Sequence, residues 1–270
     1  MKQIRCFMLG RARSGTTVFR RMLSTNPDLS AYSEILNADA PKNFFQFLER
    51  RYAEDSSLCY PQHSLPLYRE FLDELCAAKR KAKCVLFDIK YECMHVVYKP
   101  WYAARDVPAA IEEIRNQGWH ALNMTRRNHL KRIVSNTKAM ETGVYHDVED
   151  GAPVPAPKVR IGTGDLMEKF DAFDEAYDRI SEFFAGYDRF LEVDYDRMFV
   201  QSDGTQSFSP AILENVAQTL GLPNAFDPMP RQVKVTSDRL SDVIENYDEV
   251  ASLLAGTPYA AFLDEPAPID

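Results

Sequence analysis

Residues 10–17 read Gly-Arg-Ala-Arg-Ser-Gly-Thr-Thr, and they restrict the fold more than any other stretch. The run Ile4-Arg5-Cys6-Phe7-Met8-Leu9 before them is apolar and β-prone. The run Val18-Phe19-Arg20-Arg21-Met22-Leu23 after them has helical spacing. Strand, glycine-rich turn and helix in that order form a phosphate cradle, because the helix N-terminus offers unbonded N–H groups and a positive dipole end. The spacing from Gly10 to Gly15 matches the triphosphate loop G-x-x-x-x-G-K-[ST]. Here the lysine position holds Thr16, and the cation sits three residues earlier, at Arg13. Triphosphate enzymes need that lysine for the β and γ phosphates and the next hydroxyl for magnesium. A hydroxyl there and a guanidinium inside the turn suit one phosphate from which a charged group departs.

A second segment, residues 122–135, reads Leu-Asn-Met-Thr-Arg-Arg-Asn-His-Leu-Lys-Arg-Ile-Val-Ser. Trp119 to Met124 reads as a strand and Leu130 to Met140 as a helix. Arg127 closes the strand, and Ser135 lies eight residues on. A dianionic phosphate suits a forked guanidinium, a hydroxyl donor and a nearby helix N-terminus. A basic helix with a solvated face is the bland alternative for this segment taken alone.

The run Arg13-Ser14-Gly15-Thr16-Thr17 resembles the 5′-phosphosulfate loop of sulfotransferases, whose donor is 3′-phosphoadenosine 5′-phosphosulfate (PAPS). The Arg127 and Ser135 pair resembles the pair that holds the donor's 3′-phosphate in that family. Tyr32-Ser33-Glu34-Ile35-Leu36-Asn37, Phe87-Asp88-Ile89-Lys90, Ile244-Glu245-Asn246-Tyr247-Asp248-Glu249 and Gly256-Thr257-Pro258-Tyr259 resemble segments of the Nod-factor (chito-oligosaccharide) carbohydrate sulfotransferases. The matches run from about residue 4 to residue 262. Residues 38–83 match none of the family's segments and are expected to be a helical insertion that sets acceptor specificity within one sulfotransferase domain, 1–270.

The resemblance implies a metal-free transfer of a sulfuryl group from PAPS to a hydroxyl, leaving 3′-phosphoadenosine 5′-phosphate (PAP). Glu34 matches the glutamate that serves as base in several carbohydrate sulfotransferases. Arg13 would offset charge on the leaving oxygen; a guanidinium is a poor proton donor. Arg11, Ala12, Ser14, Gly15, Thr16 and Thr17 are expected to cradle the 5′-phosphate. Lys90, charged directly after an apolar strand, points to a site rather than the core, and is expected to be catalytic, touching the transferring sulfuryl group or the bridging oxygen. Asp88 in the same run is read as a cap or salt-bridge partner before a magnesium ligand. Lys234 or Arg231 would contact the 3′-phosphate side, with nothing to choose between them. His120 and His129 are poorly placed as alternative bases, and His146 is the better-placed histidine.

The chain has 270 residues and a formal net charge of -8, which argues against general nucleic-acid binding. Positive charge is local: Arg11, Arg13, Arg20 and Arg21 in one cluster, Arg126, Arg127, Lys131 and Arg132 in another. That distribution suits a small anionic ligand. No apolar run reaches membrane-spanning length, no signal peptide is evident, and five cysteines lack a C-x-x-C pair. The expectation is a cytoplasmic protein with reduced thiols; nothing excludes a homodimer.

Alternating strands (residues 84–90 and 190–193) and helices (43–53, 66–79, 107–116, 166–184 and 210–220) predict an α/β, P-loop-like three-layer fold. Its mainly parallel central sheet would be flanked by helices, with ligands beyond the strand C-termini. Residues 149–157, rich in proline, read as an exposed loop. Phe44, Phe45, Phe47, Tyr52, Tyr60, Tyr68 and Phe71 are either core or a stacking platform for sugar rings. The acceptor is read as a carbohydrate or glycolipid; a small alcohol or phenol, or a P-loop kinase of a small molecule, is the alternative.

Overall fold

The computed structural model describes residues 3–97, 107–143, 158–202, 205–228 and 239–263. Strands β1 (Ile4–Gly10), β2 (Leu29–Tyr32), β3 (Cys84–Lys90), β4 (His120–Thr125) and β5 (Phe190–Asp194) form one sheet in the order β2-β3-β1-β4-β5, every pairing parallel. Parallel strands are covered on both faces, and β1 shows how. Phe7 and Leu9 enter one core with Val85, Phe87 and Ile89. Cys6 and Met8 enter the opposite core with Leu86, Leu122 and Met124.

Helices α2 (Phe44–Glu54), α3 (Ser64–Ala78) and α4 (Ala109–Asn116) cover the first face. Helix α1 (Thr16–Leu23) and helix α7 (Pro210–Leu220) cover the second. A third core joins α5 (His129–Thr142) and α6 (Leu166–Phe183) to α8 (Leu240–Val243) and α9 (Tyr247–Leu254). The order places β1 centrally, with β3 on one side and β4 on the other. The chain leaves β1 toward β2 and leaves β4 toward β5. The crevice between these departures is where an open α/β sheet takes its ligand. Both phosphate motifs open at that edge.

The three-layer α/β architecture anticipated from the sequence is the one observed. Helix α1 starts at Thr16, directly after the turn, rather than at Val18. Strand β2 was not anticipated, because four residues with two small side chains show no apolar run. The antiparallel hairpin of β6 (Phe199–Ser202) and β7 (Thr205–Phe208) was also missed, although Asp203-Gly204 between them is a strong hairpin signal. The stacking platform is corrected in part: Phe44, Phe47, Tyr68 and Phe71 are sealed in the first core, while Phe45 and Tyr60 are exposed. His146, Arg231, Lys234 and the loop 149–157 lie outside the described residues. Among those described, no helix is long and apolar enough to cross a membrane.

Candidate active site

The turn between β1 and α1 is held from outside by its carbonyls. Ser14 Oγ donates to Arg11 O at 2.7 Å, Arg126 Nη1 to Arg13 O at 3.1 Å, and Arg132 Nη1 to Ala12 O at 3.4 Å. Three successive peptides are thereby fixed in orientation. Arg13 takes φ 67 and Gly15 φ 87, both left-handed. Glycine adopts such a conformation freely, whereas arginine does so at a cost of about 1–3 kcal/mol. Helix α1 then begins with no side-chain cap and no acid in its first turn. Its first N–H groups have no intrahelical acceptor, so the dipole end is open to an anion.

Lys90 ends β3 beside this turn. Its Nζ donates to Thr16 Oγ1 at 2.6 Å and to Asp88 Oδ1 at 2.6 Å, and pairs with Glu34 Oε1 at 3.6 Å. Residues 88 and 90 share a strand face by the two-residue period, and that face is the one α1 covers. The Arg20 guanidinium of α1 stands 3.7 Å from Asp88 Oδ2. Burial pushes the Asp88 carboxyl above the usual aspartate range, against the downward pull of Lys90.

Glu34 arrives from the end of β2. The amide of Ile35 donates to Asp88 O at 3.1 Å, which keeps the chain on β3 past the strand. Glu34 itself takes φ 39, and Asn37 Nδ2 donates to its Oε2 at 2.9 Å. The structure therefore brings together Arg13, Thr16, Lys90 and Glu34 from four separate parts of the sequence.

On the other side, Arg13 Nε donates to Ser135 Oγ at 3.0 Å. Ser135 thus meets Arg13. Arg127 instead contacts Asp178 at 3.0 Å, Asp174 at 3.3 Å and Glu192 at 3.8 Å. The neighbouring Arg126 faces the turn. It is 8% exposed, its guanidinium lies 4.5 Å from the Tyr195 ring centroid, and its Nε has no hydrogen-bond partner. His129, set aside as a base, is fully buried among Phe170, Phe173, Tyr177 and Phe262, with Nε2 2.9 Å from Asp174.

Sequence reading placed Arg126 only within a basic cluster and missed Tyr195, Asn37 and Glu92. Arg126 was hidden by its neighbour, since two adjacent arginines cannot be told apart by spacing. Asn37 and Glu34 stand three apart in a turn, a spacing that carries no signal by itself. Tyr195 follows β5 directly, at the sheet edge where sites gather, and that position could have flagged it. Its ring closes against Gly15: a Cβ built there would meet Tyr195 Cδ2 at 2.2 Å. Gly15→Ala is therefore expected to lose about 1–3 kcal/mol from the left-handed backbone alone, with a further loss from the ring. Thermal melts check this, and Gly15→Ala/Tyr195→Ala should recover only the part due to the clash.

No family model and no curated protein matches this sequence. Solved structures similar to it include the sulfotransferase domain of the Synechococcus PCC 7002 olefin synthase, at 16% identity and TM-score 0.41, over 100% of this chain and 92% of that one. A sulfotransferase from Alicyclobacillus acidocaldarius matches at 12% identity and TM-score 0.44, over 97% and 95%. Mouse sulfotransferase SULT7A1 complexed with PAP matches at 12% and 0.42, over 100% and 78%. Likeness at this level assigns no activity to the chain, so the functional reading rests on the residues of the site.

Proposed function

We propose that this protein transfers a sulfuryl group from PAPS to a hydroxyl of a carbohydrate or glycolipid acceptor. The observation that carries the reading is the contact of Glu34 with Lys90 beside Thr16: a proton acceptor and a fixed cation meet at the mouth of a phosphate turn. The residues present fit the donor. Arg126 is a buried guanidinium with an orphaned Nε and pairs with no carboxylate among the described residues. An uncompensated buried cation of this kind is relieved by an anion.

When bound, the donor would supply the sulfuryl group and a leaving phosphate. The first turn of α1 and the hydroxyls of Thr16 and Thr17 hold that phosphate. Arg13 offsets charge on its departing oxygen. Ser135, with Arg126 or Arg127, holds the second phosphate of the donor. Glu34 takes the proton of the acceptor hydroxyl, and Lys90, fixed by Thr16 and Asp88, orients Glu34. In this reading residues 38–83 form the acceptor side.

One observation favours a small-molecule kinase instead. Lys90 reaches Thr16, the position where a triphosphate loop carries its own lysine. Calorimetry of PAP without metal, against ATP with magnesium, decides between the two. Wild type is expected to bind PAP in the micromolar range without metal. Arg126→Ala is expected to weaken PAP by about 10- to 100-fold, the range for a charge-assisted hydrogen bond. Arg127→Ala is expected to cost less, because that guanidinium must first leave Asp174 and Asp178. Tight ATP-magnesium binding indifferent to the 3′-phosphate would move the kinase to first place.

A further inference from the structure

Arg132 projects from α5 one turn before Ser135 and is 6% exposed. It pairs with no carboxylate among the described residues. Its contacts are the long bond to Ala12 O at 3.4 Å and the Phe173 ring, whose centroid lies 3.8 Å from its Cζ. Its Nε has no hydrogen-bond partner. Arg11 packs on the same ring at 4.3 Å, and its Nε, although 3.2 Å from Glu92 Oε1, makes no well-aligned hydrogen bond. The hydroxyl of Tyr177, on α6 with Phe173, is fully buried and has no side-chain hydrogen-bond partner; the backbone of Arg126 is what stands against it. Burial first, and the like charge of Arg11 next, push the Arg132 guanidinium down to about 10. Burial raises the Tyr177 hydroxyl, while Arg132 and Arg11 pull it back, so all three groups share one electrostatic environment. Buried orphaned donors are rare in folded proteins, and each needs a ligand or another reason. Here they converge.

One carboxylate already stands beside these guanidiniums. Glu92, in the 3₁₀ turn after β3, lies 3.2 Å from Arg11 Nε and accepts from the amide of Ala12 at 3.4 Å. Its side chain is 40% exposed, so solvent can receive it when it leaves. It shows which group fits there: a planar carboxylate, bridging a guanidinium and a turn amide.

Resting on the sulfuryl-transfer reading, we infer that the acceptor itself carries a carboxylate, and that Arg132, Arg11 and Tyr177 bind it beside the phosphate turn after Glu92 moves aside. The anion anchors the acceptor, and a neighbouring hydroxyl is left for Glu34. This narrows the acceptor from a neutral sugar to a hydroxylated carboxylic acid, such as a uronate.

The test is a thermal-shift titration of PAP-saturated protein with D-glucuronate, D-glucose and inorganic phosphate. D-Glucuronate is expected to raise the Tm, and D-glucose at the same concentration to leave it unchanged. Arg132→Met and Tyr177→Phe are expected to weaken the D-glucuronate response at least fivefold; Tyr177→Phe keeps PAP affinity within threefold of wild type, whereas Arg132→Met also frees Ala12 O of the turn and weakens PAP. Glu92→Gln is expected to strengthen it. Tyr177→Phe removes one hydroxyl and keeps the ring, so it remains informative if Arg132→Met does not fold. No response to D-glucuronate overturns the inference, as does an equal response to inorganic phosphate. A tenfold loss of PAP affinity in Tyr177→Phe would assign the cluster to the donor and overturn the inference. If wild type binds no PAP, the sulfuryl-transfer reading has failed, and the same titration on the free protein still decides whether the cluster takes a carboxylate.

Discussion

Glu34→Gln is expected to lower kcat by about 10²- to 10⁴-fold, the usual contribution of a positioned general base, while PAP affinity stays within threefold of wild type. Glutamine keeps the length and one carbonyl oxygen, so it can accept from Asn37 or from Lys90 but not from both. It cannot take a proton. The split between binding and turnover is what separates a base from a structural residue. If Glu34 only supported Lys90, the variant would change thermal stability and turnover together. Steady-state rates with a radiolabelled donor, beside PAP calorimetry, measure both. Retained turnover above one tenth of wild type would remove Glu34 from the role and return attention to His146.

Lys90→Met is expected to destabilise the protein by about 3–5 kcal/mol near neutral pH, because it strands Asp88 as a buried charge. Asp88 already has its pKa raised by burial despite the bond to Lys90. Without that bond the carboxyl must take up a proton or be left with Arg20, 3.7 Å away, as its one cation among the described residues. The sign follows from linkage. A carboxyl with a folded pKa above its unfolded value binds more protons folded than unfolded. The variant should therefore be least deficient below about pH 4, the unfolded aspartate value, and lose stability as pH rises through the folded value. Urea melts between pH 4 and pH 8 report this slope. Lys90→Met/Asp88→Asn should regain most of the loss and flatten the slope. A pH-independent loss would show that packing of the lysine stem matters more than its charge.

The turn at 10–17 was legible because it is local. Strand, turn and helix are consecutive, and each residue type has one backbone task. Lys90 was legible for a related reason: a charge directly after five apolar strand residues has few bland uses. The partners of these residues were not legible. Which arginine of 126 and 127 faces the turn depends on whether the backbone after β4 continues the strand or bends away. The sequence holds no cue for that. Ile35 supports Glu34 through the bond of its amide to Asp88 O of β3, about fifty residues away in the chain, and Asn37 bonds the Glu34 carboxylate directly. Such contacts appear only when the sheet is assembled. The aromatic residues of α2 and α3 show the opposite limit. Helical spacing announces a buried face but does not say whether protein or a sugar covers it, and the first core took four of them.

The left-handed backbone at Arg13 and Glu34 has a practical consequence for anyone engineering this chain. Both are non-glycine residues in a conformation that glycine occupies without strain. A redesign guided by thermal robustness would choose glycine at 13 and at 34 early, and each exchange would relieve about 1–2 kcal/mol of backbone cost. Those same exchanges would delete the guanidinium inside the phosphate turn and the carboxylate beside Lys90. Under the proposed function, heat tolerance and turnover are thus set against each other at two identifiable positions, and a screen that selects only for solubility or melting temperature would drift toward a sturdier protein without these two side chains.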